Sequence, residues 1–273
     1  MLNVSVVGLG QIGGSLGLAL KSKTLKNRYY ITGIARKKET LKNALKIGAI
    51  DEGSLSLESA KNSDIVVICT PVDTIVSVYK ELIKVVKKNA IITDAGSVKY
   101  SIEREIKDIN GKISFVGSHP MAGREQNGLT SASADIFKNA KVVITSQNSK
   151  SENIATKMWK DAGAVIVKMS AKEHDDLVAF TSHLPHVIAF ALNKTYKNIK
   201  KKNPQIDELT AGSFKSITRV SVSSAGMWAP IFASNGKNIN KYLDEFIKEL
   251  NVFKRNLSDK KKIRQEILKS QKG

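Results

Sequence analysis

Cys69 is the only cysteine in the chain, so no internal disulfide and no multi-cysteine metal site can form, which suits a reducing compartment. Long apolar runs are missing too. None reaches the roughly 18 to 20 residues needed to cross a bilayer, and residues 1–10 have neither a charged start nor a small-residue cleavage site. The expectation is a cytoplasmic protein with no membrane partner. Acidic residues are the scarce charge: 25 Asp and Glu face 44 Lys and Arg, for a net charge of +19. That balance invites a nucleic-acid reading, but the cations are mostly lysines scattered over helix faces, without aromatic interleaving or a recognition motif. They are read as solvated surface, and no nucleic-acid partner is expected. A positive field still raises encounter rates with a dianionic substrate or a polyphosphate cofactor. What remains is an ordinary packing chain, 273 residues with 41% hydrophobic content, enough for one large domain or two modest ones.

A β-branched run at 3–8 ends on Gly8, Gly10 and Gly13 and passes directly into the apolar segment 15–20, which reads as strand, tight turn, helix. Strands are expected at 29–35, 64–70, 90–93, 114–116, 141–145 and 164–167, with helices at 39–47, 72–86 and 101–109. Such alternation means an α/β fold with a parallel sheet covered on both faces. The pattern changes after Ser170, where strand signals stop. The expected division is a dinucleotide-binding domain over 1–169 and a helical domain over 170–273. Ser170 and Glu173 form a capping box that opens a helix through His174, His183, Pro185 and His186 to about 197, kinked at Pro185. Further helices are expected at 205–212, 227–236 and 239–269. In the last, Leu243, Phe246, Ile247, Leu250 and Phe253 make an apolar stripe that is core or a dimer seam.

Each glycine of the Gly8-Leu-Gly-Gln-Ile-Gly13 turn has a physical reason: the first turns the chain, the second lets backbone approach a pyrophosphate, and the third lets helix pack on strand. The end of the second strand carries an acid where a ribose 2′-hydroxyl is bound. Here it reads Ala35-Arg36-Lys37-Lys38, cations suited to a 2′-phosphate, so Arg36 and Lys37 point to NADP rather than NAD. Asp94 to Lys99 and Gly117 to Glu125 each follow a strand, at the sheet edge where ligands bind. His119 is the natural proton acceptor for an alcohol losing hydride. His183 and His186 are expected to face an interdomain cleft. His174, nine residues before His183, falls on nearly the opposite helix face unless Pro185 turns it back, so it lies near the cleft or on the surface. No HExxH spacing occurs and no metal is expected. Arg219, an arginine amid lysines, suggests bidentate carboxylate binding.

Together these segments resemble the prephenate and arogenate dehydrogenases of tyrosine biosynthesis. GxGxxG, DAGSVK, GSHPMAGRE, SHLPH and GSFKSITR followed by MW occur in that family's order, from the first glycine turn to about Gly236. The resemblance implies a Rossmann-type nucleotide-binding domain followed by an all-helical C-terminal dimerisation domain, working as a homodimer. It implies NAD(P)-dependent oxidative decarboxylation of prephenate to 4-hydroxyphenylpyruvate, with arogenate as the alternative substrate. Carried over by position, His119 takes the proton of the ring hydroxyl, Ser97 bridges that hydroxyl and the nicotinamide, and Arg219 anchors a carboxylate with His186 beside it. Glu125, Gly212 and Trp228 line or shape the pocket, and His183 matches a family histidine whose role the resemblance does not assign, as does His174. The cofactor set is Gly8, Gly10, Gln11, Ile12, Gly13, Arg36 and Lys37, with Thr70 and Pro71 at the end of the next strand. The chain departs from NAD-using members in lacking an acid at Ala35 or Arg36, and Arg124 stands where a small or hydroxylated residue is expected. No regulatory domain is expected after the last helix. A two-domain hydroxyacid dehydrogenase would not need the GSHPMAGRE and SHLPH pair, and a non-catalytic basic module that senses cofactor and binds nucleic acid would show salt-dependent binding to duplex DNA.

Overall fold

The computed structural model describes residues 1–25, 27–109, 113–123, 128–145 and 150–271. Its first half follows the alternation in the sequence. β1 (Leu2–Val7), α1 (Gln11–Leu20), β2 (Tyr29–Ile34), α2 (Lys38–Lys46), β3 (Glu52–Ser54), β4 (Ile65–Ile68), α3 (Ile75–Val85), β5 (Ile91–Asp94), α4 (Tyr100–Lys107) and β6 (Ser114–Val116) build a six-stranded sheet. Every pairing is parallel and the order is β3-β2-β1-β4-β5-β6. The chain therefore reverses its direction of sheet growth between β1 and β4. In such sheets the crevice at the carboxyl ends of those two strands receives ligands.

Both faces are covered. Val4, Val6, Ile31, Ile65 and Val67 pack against Leu16 and Leu20 of α1, while Val66 and Ile68 face Ile75, Tyr79 and Leu82 of α3 and Ile102 of α4. This double cover explains the unbroken apolar run of β4, since a strand buried on both sides has no polar alternate. Each such side chain contributes about 1.5–3 kcal/mol by leaving water.

Several elements depart from the sequence reading. β3, with two polar residues and a glycine, carries no apolar period and exists only by pairing with β2. The segment holding His119, expected as loop, is β7 (Ser118–Pro120), antiparallel to β8 (Lys141–Ile144). β8 in turn pairs in parallel with β9 (Val165–Lys168), so the strands expected at 141–145 and 164–167 form a second, three-stranded sheet. Between them runs α5 (Lys150–Asp161), an unforeseen helix that buries Ala155, Met158 and Trp159. Its polar majority masks that narrow stripe.

No strand follows Lys168 among the described residues. The helix expected through the histidines is three pieces: α6 (Ala171–Val178), a π turn (Ala179–His183) and α7 (Leu184–Lys200). Ser170 Oγ caps α6 by accepting from Glu173 N. Pro185 sits in the first turn of α7, where the widened π turn accommodates its missing N–H. A 3₁₀ turn (Pro204–Leu209) replaces the helix expected at 205–212, and α8 (Gly212–Thr218) follows it. The helices expected at 227–236 and 239–269 are instead α9 (Ala225–Asn256), interrupted at Asn235 (φ −116°, ψ 16°), and α10 (Lys260–Ser270). Trp228 and Ile231 of α9 join the core on the α3 face of the sheet, which seats the helical part against the crevice. The distal stripe of α9 is not core in the single chain: Ile247 and Leu250 are 45% and 50% exposed. No helix among the described residues is long and apolar enough to cross a membrane.

Candidate active site

The glycine turn opens the crevice. Gly8 has φ of +98°, and a Cβ there would stand 2.8 Å from the carbonyl oxygen of Cys69. A Cβ on Gly13 would meet the Gly8 carbonyl oxygen at 2.1 Å. Packing of strand, turn and helix thus demands both. Gly10 is different: a Cβ there meets no protein atom within 4 Å, so protein packing does not require it, whereas close approach of a diphosphate does. Gly10 is also the N-cap of α1, with no side-chain cap and no acid in the first turn. The leading N–H groups and the positive end of the helix dipole are left for an anion. These features fit a dinucleotide. Thr70 and Pro71 leave β4 beside this turn, the Thr70 methyl lying 3.1 Å from the position of a Gly8 Cβ. Gln11 and Ile12 begin α1, half-buried, and Arg36 and Lys37 lie exposed beyond the end of β2.

One crevice wall is held by a buried ion pair. Lys99 Nζ bonds Asp94 Oδ2 and donates to the Ser118 carbonyl at 2.8 Å. Asp94 accepts from the backbone N–H groups of Gly96 (2.9 Å) and Ser118 (3.0 Å). The DAGSVK loop is thereby closed on itself, with Ser97 half-buried at its tip, and clamped to the residue before His119.

His119 is 8% exposed. Its Nδ1 lies 2.8 Å from His174 Nε2, and His174 Nδ1 lies 2.7 Å from Asp175 Oδ1. The two rings meet edge to face at 5.0 Å. His174 is fully buried in this contact, near the cleft and not on the surface, although ideal helical spacing sets it nearly opposite His183. The π turn is the reason. It adds a residue to the helix between His174 and His183, so spacing on an ideal α-helix no longer describes their relative directions. Burial first, then His174, Lys99 and His183, hold the His119 imidazole well below its ordinary range. His183 is pushed down to about 4 by burial, against the opposing charge of Asp175. His186 is lowered by burial, opposed by its hydrogen bond from Nδ1 to the Ser182 carbonyl at 2.9 Å.

The helical part adds the far wall. His186 stacks on Trp228 with ring centroids 3.6 Å apart, and His183 meets the same indole at 5.9 Å. Trp228 Nε1 is buried without an acceptor among the described residues. Asn235, at the break in α9, donates to the Asp175 carbonyl at 2.7 Å and lies 3.2 Å from His183 Nδ1. Gly212 starts α8 and Arg219 follows its end, both exposed. Glu125 and Arg124 lie outside the described residues. Thus His119, His174, His183, His186 and Trp228 come together. Asp175 and Asn235 were missed by sequence reasoning. Adjacency to His174 could have drawn attention to the first, while nothing local marks the second.

This arrangement, a glycine turn at the sheet crevice and a buried histidine on β7 bonded to the helical part, has known counterparts. Residues 16–168 match the model described as "Prephenate dehydrogenase, nucleotide-binding domain", and residues 170–269 match "Prephenate dehydrogenase, dimerization domain". The chain belongs to the prephenate dehydrogenase family. It is 33% identical over 254 residues to the prephenate dehydrogenase of Bacillus subtilis, covering 90% of this chain and 68% of that protein. Among solved structures, prephenate dehydrogenase from Aquifex aeolicus in complex with hydroxyphenyl propionate and NAD+ superposes with a TM-score of 0.89 at 31% identity, covering 99% of this chain and 96% of that one. Synechocystis arogenate dehydrogenase superposes with a TM-score of 0.81 at 25% identity, covering 99% and 98%. As a member of the prephenate dehydrogenase family, the chain is an oxidoreductase that uses a nicotinamide cofactor. The nucleotide-binding family model matches only from residue 16, beyond Gly13, so against that model the glycine turn stands on its own geometry.

Proposed function

We propose that the chain oxidatively decarboxylates prephenate to 4-hydroxyphenylpyruvate in the cytoplasm, prefers NADP, and works as a homodimer built on residues 170–273, with residues 1–169 holding the cofactor. The observation that carries this reading is the buried imidazole of His119, bonded to His174 of the helical part and carried on a strand clamped through Ser118 to Asp94 at the carboxyl end of β5. When bound, the dinucleotide accepts the hydride. His119 takes the proton of the ring hydroxyl, for which a neutral imidazole is required, and Ser97 orients that hydroxyl. Arg219 anchors a carboxylate, with the buried Trp228 N–H as a further donor, since leaving such a group unsatisfied costs about 1–3 kcal/mol. His183, Gly212 and Glu125 shape the pocket. Gly8, Gly10, Gln11, Ile12, Gly13, Thr70 and Pro71 hold the dinucleotide, and the exposed Arg36 and Lys37, with no acid beside them, support a 2′-phosphate.

Arogenate is the second reading, and one observation favours it. His186 gives its Nδ1 hydrogen to the Ser182 carbonyl, so a neutral ring offers Nε2 as an acceptor, which suits an amino group better than a keto oxygen. The test crosses prephenate and arogenate with NAD and NADP, following reduced nicotinamide absorbance. Fastest turnover with prephenate and NADP is expected, and Arg36→Ala with Lys37→Ala should lower kcat/KM for NADP by about ten- to a hundredfold while sparing NAD. Faster turnover with arogenate, or equal turnover with the two cofactors, removes the corresponding half of the proposal.

A further inference from the structure

We propose that His174 and Asp175 are positioning residues that hold His119 in the one tautomer able to act as a base, governing turnover through that ring and not through substrate binding. The proposal rests on the reading of His119 as the proton acceptor. With both imidazoles neutral, each carries a single N–H. The Asp175 carboxylate only accepts, so the His174 hydrogen sits on Nδ1, 2.7 Å away. His174 Nε2 then presents its lone pair to His119 Nδ1 at 2.8 Å, and His119 must carry its hydrogen there. The lone pair left on His119 is at Nε2. Reversing the chain of donors would place N–H at that atom, and the ring could no longer take a proton.

Asp175 is itself held from several sides. Oδ1 also accepts from Lys99 N at 2.8 Å, Oδ2 accepts from Tyr100 N at 2.9 Å, and the Asp175 carbonyl accepts from Asn235. The Asp175 carboxylate therefore joins the end of the Ser97 loop, the start of α4 and His174, and its backbone carbonyl adds the break in α9. Such a buried network specifies one arrangement only when every member is satisfied.

Proton balance shows why orientation suffices. The substrate O–H breaks as Nε2–H forms, and the ring C–H departs as hydride to the oxidised cofactor. The bond to the ring carboxylate then breaks, carbon dioxide leaves, its electron pair enters the ring, and the resulting phenolate takes the proton back from Nε2. No net proton is released. His119 must lend and recover a proton at one atom, and His174 need not carry it away.

The experiment compares His174→Gln, His174→Leu and Asp175→Asn in the full chain, with His119→Asn as reference. A glutamine amide can donate to Asp175 and accept from His119, so His174→Gln should keep kcat within about tenfold. His174→Leu supplies no acceptor and should lower kcat by about 10²–10³, with KM and dinucleotide Kd little changed. Asp175→Asn turns one carboxylate oxygen into an NH2 donor that must oppose either His174 Nδ1 and the Lys99 N–H or the Tyr100 N–H, so it breaks the chain of acceptors and should also lower kcat. Wild-type kcat in His174→Leu, equal damage from glutamine and leucine, or a loss confined to KM would overturn the proposal. Should Asp175→Asn fail to fold, the glutamine and leucine pair decides alone. If His119→Asn keeps its turnover, the base reading itself falls. If it loses turnover while His174→Leu does not, only the positioning role falls.

Discussion

His119, His183 and His186 share a property that a lone surface histidine lacks: burial lowers the affinity of each for a proton. In the unfolded chain they titrate near 6.5. Below that value the unfolded state binds more protons than the fold, so stability rises with pH. It is complete above about 6.5 and declines as pH falls, by at most about 1.4 kcal/mol per unit for each histidine. For His183 the window extends down to about 4. Thermal melts should therefore show a Tm that drops from pH 7 to 5, and the acid limb of kcat/KM should inflect below 6.5. A flat Tm, or a limb centred above 6.5, would contradict neutral buried rings. Among these residues, His119, His183 and His186 stood out in the sequence because they lie in short motifs. His174 stood out but its direction was not legible, because it depends on the π turn, and Asn235 did not stand out, because its partners sit on α6 and the π turn, far back along the chain.

At the level of elements, β1, the glycine turn and α1 act as one unit with two kinds of glycine. Gly10 has φ of −92°, which alanine adopts, and open space where a Cβ would be. Gly10→Ala should leave Tm near wild type while raising dinucleotide Kd, on the order of tenfold, through the lost close approach. Gly13→Ala drives a methyl into the Gly8 carbonyl and should both destabilise the fold, by about 1–3 kcal/mol, and weaken binding. Melts and fluorescence titration with reduced dinucleotide separate the two. Equal effects of both changes would remove the argument that Gly10 serves the ligand. The π turn is the matching device in the helical half: its extra residue lets His174 meet His119 while His183 and His186 reach Trp228. Regular helical periodicity cannot encode that offset.

For the molecule as a whole, the unresolved demand is the distal face of α9. Ile247 and Leu250 are 45% and 50% exposed on this helix of 32 residues, and Leu257, just past its end, is 69% exposed. Apolar side chains in that number call for a partner, and the segment matches a dimerization domain. Ile247→Asp with Leu250→Asp should shift sedimentation from dimer toward monomer while the isolated nucleotide turn keeps its dinucleotide affinity. An unchanged sedimentation coefficient would move the interface elsewhere. The sequence by itself determined the alternation of strands and helices in the first half, the glycine turn and the switch to helices after Ser170, because each is written in residues that act on their near neighbours. Tertiary structure decided the pairing of β3, the strand around His119 and the His119–His174–Asp175 chain. Those contacts join residues 55 and 76 positions apart, as with His119 to His174 and Lys99 to Asp175. No local pattern selects them; they form because packing the helical half onto the sheet edge buries polar groups that must then satisfy one another.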